Sequence, residues 1–322
     1  MTVKRRKTKT RGKKRPVTSF GGGLKRVCRD AIIAVVGFIG VLYLYNYLYP
    51  SDAEPKKDTE TELQEQPAKK AKVRSVSDRV ASSVPKPASI KIPSGAEIPR
   101  LKAKRQEQII RHEGYTVSYN SDYKIANWVA YELTAKEAES QKTGRENKFV
   151  PDPEVKGATA TNEDYTRTGY DRGHLAPAGD MKWSAKAMRE SFYLSNICPQ
   201  KPELNRGIWK DLEEQSRMWA KDYGSLLIAT GPVLTDGMKR MGKNGVGIPG
   251  AFYKVLCCVS GNEYKAIAFI FENKDYKDAT PASLAIPVDS VEKVTGIDFF
   301  PLVPDEQEKK MEATIDWKCW SF

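Results

Sequence analysis

Apolar and polar positions divide the chain into four unequal stretches. Residues 1–30 are basic and polar, with Lys4-Arg5-Arg6-Lys7 and Lys13-Lys14-Arg15 set among Thr and Gly, and have almost nothing to bury. Ala31 to Tyr49 then runs nineteen residues without a charge. At 1.5 Å per residue this is roughly 28 Å of helix, close to the hydrocarbon thickness of a bilayer. The pattern predicts a single transmembrane helix over 31–49. Lys25, Arg26 and Arg29 flank its start and Asp52 and Glu54 its end, which places the tail in the cytoplasm and everything after the span outside it, in the periplasm if the source is bacterial. A cleaved signal peptide competes with this reading, but the basic stretch is long for one and Ser51-x-Ala53 is a weak cleavage site. Residues 50–99, rich in Pro, Lys, Glu, Ser and Ala, read as a linker that cannot offset its ordering entropy by burial.

Residues 100–322 carry the patterns of a folded domain. Tyr115–Tyr119 and Asn127–Leu133 flank the polar run Asn120-Ser121-Asp122, and Val129, Tyr131 and Leu133 alternate with Ala130 and Glu132. That predicts a β-hairpin. Ser225–Thr230 reads as a strand ended by Gly231-Pro232, and Ala251–Val259 with Tyr264–Phe271 as a second hairpin about Ser260-Gly261-Asn262-Glu263. Helices are predicted at Ala185–Phe192, at Pro202–Tyr223 ahead of Gly224, and at Val288–Thr295 closed by Gly296. Strands and helices do not alternate as βαβ units and no Gly-rich phosphate loop is present. The fold class is therefore α+β with a mostly antiparallel sheet.

Charge changes the picture less than it promises. Of the formal net charge of +12, residues 1–30 carry +11, leaving +1 for residues 31–322. A polyanion bound by the domain must meet a local patch or a metal ion. The five cysteines include no C-x-x-C pair and the chain has only two histidines, which argues against structural zinc. Pairing among Cys198, Cys257, Cys258 and Cys319 is open, with buried free thiols as the alternative to a disulfide.

The chemistry concentrates in Asp171-Arg172-Gly173-His174, where an imidazole sits beside a fixed cation and a carboxylate. An imidazole is a proton acceptor near neutral pH, although a turn with solvated charges would read the same way. On the helix predicted over Pro202–Tyr223, Asn205, Trp209, Glu213 and Arg217 recur every four residues, apart from an apolar face of Ile208, Leu212 and Trp219. An i, i+4 ion pair between Glu213 and Arg217 explains part of that stripe. It does not explain Asn205, which has poor helix propensity. His112, in Arg111-His112-Glu113-Gly114, reads as a surface histidine.

Asp171-Arg172-Gly173-His174, then Ser195-Asn196-Ile197-Cys198-Pro199-Gln200, then Asn205, Trp209, Leu212 and Glu213 together resemble the DNA/RNA non-specific endonucleases, the ββα-metal nucleases that include endonuclease G. The resemblance covers about Tyr115 to Met311. It implies a ββα-metal fold and metal-dependent hydrolysis of phosphodiester bonds in DNA and RNA, leaving 5′-phosphate ends. It further implies His174 as general base, and Asn205 as direct ligand of one Mg²⁺, with Mn²⁺ as the alternative ion. Glu213 would hold that ion through water, and Arg172, Arg217 and Arg145 would clamp the phosphate. Asn196 would support the site by hydrogen bonding, with a purely structural role as the alternative. Dimerisation is common in the family, but no interface is legible. Two other readings use the same residues: a metal-dependent phosphodiesterase acting on small substrates, and a membrane-anchored nucleic-acid-binding protein without activity.

Overall fold

The computed structural model describes residues 90–102 and 104–322. The predicted basic tail, the predicted transmembrane helix and residues 50–89 of the predicted linker lie outside these residues. Among the described residues no helix is long and apolar enough to cross a membrane.

The strands, in chain order, are β1 (Arg100–Leu101), β2 (Gln108–Arg111), β3 (Thr116–Asn120), β4 (Ile125–Thr134), β5 (Asp171–His174), β6 (Ile197–Gln200), β7 (Ser225–Pro232), β8 (Arg240–Met241), β9 (Val246–Gly247), β10 (Ala251–Ser260), β11 (Glu263–Glu272), β12 (Ala285–Ile286) and β13 (Ile297–Asp298). The α-helices are α1 (Ala135–Glu139), α2 (Asn162–Tyr165), α3 (Ala185–Ser191), α4 (Pro202–Arg206), α5 (Ile208–Tyr223), α6 (Val288–Thr295) and α7 (Asp305–Ala313). Seven strands form one antiparallel sheet in the order β12-β11-β10-β7-β4-β3-β2. Both predicted hairpins and the β7 strand are present.

The sheet is buried on both faces. Val129, Tyr131 and Leu133 of β4 face one core, which also takes Ile208, Leu212 and Trp219 of α5. Trp128 and Ala130 face a second core, which takes Val288 and Val291 of α6 and Met311 of α7. This two-sided burial explains why β10 reads as a nearly continuous apolar run. Ala96 is fully buried, and Ile90, Ile92 and Ile98 pack on the second core. These residues belong to the stretch predicted as linker, and their isoleucines, within a Pro- and Lys-rich composition, are what bind it to the domain.

Two short elements differ from expectation. Asp171–His174 is a strand, not a turn, and pairs antiparallel with β6 so that Gly173 faces Cys198. The helix predicted over Pro202–Tyr223 is two helices joined at Gly207, whose φ and ψ are −101° and −123°. Asn205 therefore sits on a separate short helix. A Cβ on residue 207 would lie 2.6 Å from the Glu203 carbonyl oxygen, so the break requires glycine. Gly207→Ala should cost about 1–3 kcal/mol, the range for forced overpacking, read as a lower urea midpoint. An unchanged midpoint would show that the junction relaxes freely.

Candidate active site

Strands β5 and β6 and helix α4 frame the site. Gly173 is the residue over which the buried Gln200 side chain lies, and a Cβ there would come within 2.0 Å of Gln200 Oε1. Asn196, directly before β6, is fully buried. Its Oδ1 accepts from the Ala176 amide at 2.9 Å, and its Nδ2 donates to the carbonyls of Ala176 at 2.9 Å and Ser191 at 2.8 Å. These bonds fix the backbone just after His174, so Asn196 positions the histidine from behind.

His174 is 8% exposed, with Phe192 edge-on at 4.9 Å and Phe149 at 5.5 Å between ring centroids. Its Nε2 is enclosed and makes no hydrogen bond. Burial first, and then the nearby Arg145 guanidinium, lowers the imidazole to about 3, so the ring is held neutral with a lone pair available. Arg145 is exposed, lies 5.4 Å over the Phe192 ring, and makes no ion pair among the described residues. The structure thus brings Arg145 to His174 across an aromatic spacer.

Asp171 joins the strand to the helix. Its Oδ2 accepts from Asn205 Nδ2 at 3.0 Å and from Arg206 Nε at 2.8 Å, and its Oδ1 accepts from Arg206 Nη2 at 2.7 Å. Burial works to raise this carboxyl, but the bonds from Arg206 and Asn205 hold it below the usual range. Because the Asn205 amide nitrogen is spent on Asp171, its Oδ1 is the end left to meet a ligand. Arg172 braces the segment around Asn162. Its Nε and Nη2 donate to Oδ1 and the carbonyl of Asn162 at 3.0 and 2.8 Å, and the guanidinium lies over the rings of Phe149 and Tyr165.

Arg217 does not pair with Glu213. Its Nη1 donates to Asp180 at 2.8 Å, and the other oxygen of Asp180 accepts from Tyr131 at 2.8 Å. Burial works to lower the Arg217 pKa, and Asp180 more than offsets it. Glu213 is half-buried, and burial raises its carboxyl against the pull of Lys254. Lys254 is 1% exposed, lowered by burial, with its Nζ 4.9 Å over the Trp209 ring. Trp209, expected on the polar stripe, is fully buried beside Phe252 and Phe271, whereas the break at Gly207 separates Asn205 from the stripe that keeps Trp209, Glu213 and Arg217 on one helix. Asp180, Tyr131 and Lys254 were not assigned from sequence. The visible signal for Lys254 was a lone charge inside the apolar run of β10.

His112 is not at the surface. Its side chain is buried between Tyr115 and Tyr193, and Nε2 lies 2.9 Å from Asp152, which also accepts from Ser195 Oγ at 2.5 Å. The four cysteines of the domain are free thiols, which removes the disulfide alternative within it.

A neutral buried imidazole, an oriented amide and several arginines, brought together by a strand, two helices and a loop, are the equipment of a phosphodiester-hydrolysing nuclease. The family model described as DNA/RNA non-specific endonuclease matches residues 92–306. Human mitochondrial endonuclease G is 34% identical over 207 residues, covering 60% of this chain and 70% of its own length. Nuclease C1 of Cunninghamella echinulata var. echinulata is 36% identical over 209 residues, covering 59% and 82%. A chain from the crystal structure of the EndoG/EndoGI complex superposes with a TM-score of 0.59 at 30% identity, covering 62% of this chain and 89% of that one. The chain belongs to the DNA/RNA non-specific endonuclease family and is a nuclease.

The neutral state of His174 makes stability depend on pH. The unfolded imidazole binds a proton below about pH 6.5, the folded one only near 3, so stability is lost as pH falls from 6.5 toward 3. The slope reaches about 1.4 kcal/mol per pH unit for one proton. His174→Asn should remove that slope, seen as a smaller loss of urea midpoint between pH 7 and pH 5. Equal losses in both proteins would contradict it.

Proposed function

We propose that the domain hydrolyses phosphodiester bonds in both DNA and RNA without reading base sequence, using one divalent metal ion held by Asn205. The observation that carries this reading is the pairing of an oriented Asn205 Oδ1 with a neutral His174 on adjoining elements. The donor set fits such an ion. No trio of His, Cys, Asp or Glu converges at this place among the described residues, which suits Mg²⁺, an ion that keeps several of its waters and takes one or two protein oxygens. Mn²⁺ suits the same donors. Glu213, raised by burial but opposed by Lys254, would accept hydrogen bonds from those waters. When bound, the ion supplies positive charge to the scissile phosphate and the leaving oxygen.

His174 does the proton work. Its Nδ1 accepts a proton from a water whose oxygen attacks phosphorus. The P–O3′ bond breaks, leaving a 5′-phosphate and, after protonation from solvent, a 3′-hydroxyl. A pKa near 3 makes a weak base, but the phosphate brings negative charge beside Arg145 and His174. That reverses the electrostatic cause of the lowering and strengthens the base when substrate is present. Arg145 meets the phosphate, and Arg217 holds a fixed charge against Asp180 nearby in the fold. Arg172 braces the β5 strand through Asn162. Contacts of this kind reach phosphate and sugar and not base edges, which gives breadth across both nucleic acids.

The relatives named mitochondrial, among them the Saccharomyces cerevisiae nuclease at 31% identity, fit a nuclease kept behind a membrane. The span over 31–49 would place this domain on the far side from the basic tail.

Incubating a plasmid and an RNA with the protein and Mg²⁺ should cleave both. His174→Ala should lower the rate at least ~100-fold on each, the usual contribution of a positioned base. Undiminished cleavage would remove His174 from the mechanism.

A further inference from the structure

On the sheet face opposite the nuclease centre, α6 and α7 pack with Val291 and Met311 in the second core. Beside that contact, Asp289 and Glu292 of α6 meet Glu312 of α7, and one carboxylate oxygen from each lies within 4.8 Å of the other two. Glu312 is 7% exposed, and its Oε1 is enclosed without a hydrogen-bond donor. An ionised carboxylate oxygen buried without a donor is costly unless a cation meets it. Asp298 and Glu308 add to the surrounding negative charge. Among the described residues Lys102 is the one side-chain cation bonded to the group, reaching Glu292 at 2.7 Å and Asp298 at 3.1 Å. It makes no bond to Glu312.

We infer that Asp289, Glu292 and Glu312 form a Ca²⁺ site that clamps α7 to α6, separate from the nuclease centre. All three donors are hard oxygens from two helices, and the ion would neutralise charges that otherwise repel across the helix contact. Ligand chemistry favours Ca²⁺, which accepts several protein carboxylates in flexible geometry, whereas Mg²⁺ dehydrates reluctantly and demands near-ideal octahedral geometry. The competing explanation is a proton held on Glu312. Burial first, then Glu292, Glu308, Asp289 and Asp298, push this carboxyl up to about 9 without a cation. A proton and a Ca²⁺ ion answer the same excess of negative charge, and only the ion makes stability depend on calcium.

The test is thermal unfolding of the full-length chain carrying Asn205→Ala, which removes the ion-holding amide of the nuclease centre. Scans in EGTA, in Mg²⁺ and in Ca²⁺ separate the ions. Ca²⁺ at ~100-fold excess over its Kd should raise Tm by roughly 3 °C or more, with a smaller rise in Mg²⁺. Adding Glu312→Gln, or separately the half-buried Asp289→Asn, should abolish the calcium response, and two variants guard against one failing to fold. No calcium shift in the Asn205→Ala chain would overturn the site in favour of the bound proton. A full shift surviving in both double variants would overturn it equally, by placing the ion elsewhere.

Discussion

Asp171 is the point at which two separately built pieces of the domain become one site. Its carboxylate takes three hydrogen bonds, from Asn205 and from two nitrogens of Arg206. The strand that ends in His174 is thereby locked to the short helix that presents Asn205. Charge-assisted bonds of this kind are roughly twice as strong as neutral ones, and the fork of Arg206 also fixes direction. The same contact decides which end of the Asn205 amide faces outward. The join between the His174 strand and the Asn205 helix, and the orientation of the amide oxygen, thus follow from one carboxylate.

Behind this contact stands a layer of support that spends most of the site's polar groups. Asn196 closes three bonds around Ala176 and Ser191, and Arg172 is committed to Asn162. Asp180 holds Arg217 and Tyr131. What remains uncommitted is small: His174, the Asn205 oxygen, the Glu213 carboxyl, and Arg145 over Phe192. Removing one partner from such buried networks costs more than the pair itself contributes, because the survivor is left unpaired in low dielectric. Aromatic rings around His174 serve the same end, since they keep the imidazole uncharged.

The sequence exposed local pattern well and long-range pairing poorly. Strands β4, β7, β10 and β11 and helix α6 were legible because apolar spacing and their Gly and Pro boundaries are local. The strand character of Asp171–His174 was not, since a four-residue strand owes its existence to β6, more than twenty residues later. A glycine inside a helical period reads as tolerated, so the break at Gly207 and the separation of Asn205 from Trp209, Glu213 and Arg217 were hidden together. Asp180 meets Arg217 across 37 residues, and His112 meets Asp152 across 40. Neither partner is visible from its neighbours, and polar flanks made His112 look exposed. The nuclease residues themselves were found because their types are chemically unusual for their positions.

The most direct measurement is the Mg²⁺ dependence of plasmid cleavage by Asp171→Ala beside the unaltered protein. With its tether gone, the Asn205 amide is free to turn. The Mg²⁺ concentration for half-maximal rate should then rise by about 10-fold or more, the usual cost of losing a group that orients a metal ligand. An unchanged Mg²⁺ requirement, in a variant shown to be folded, would mean that Asp171 does not set the Asn205 oxygen and that the ion is held by other means.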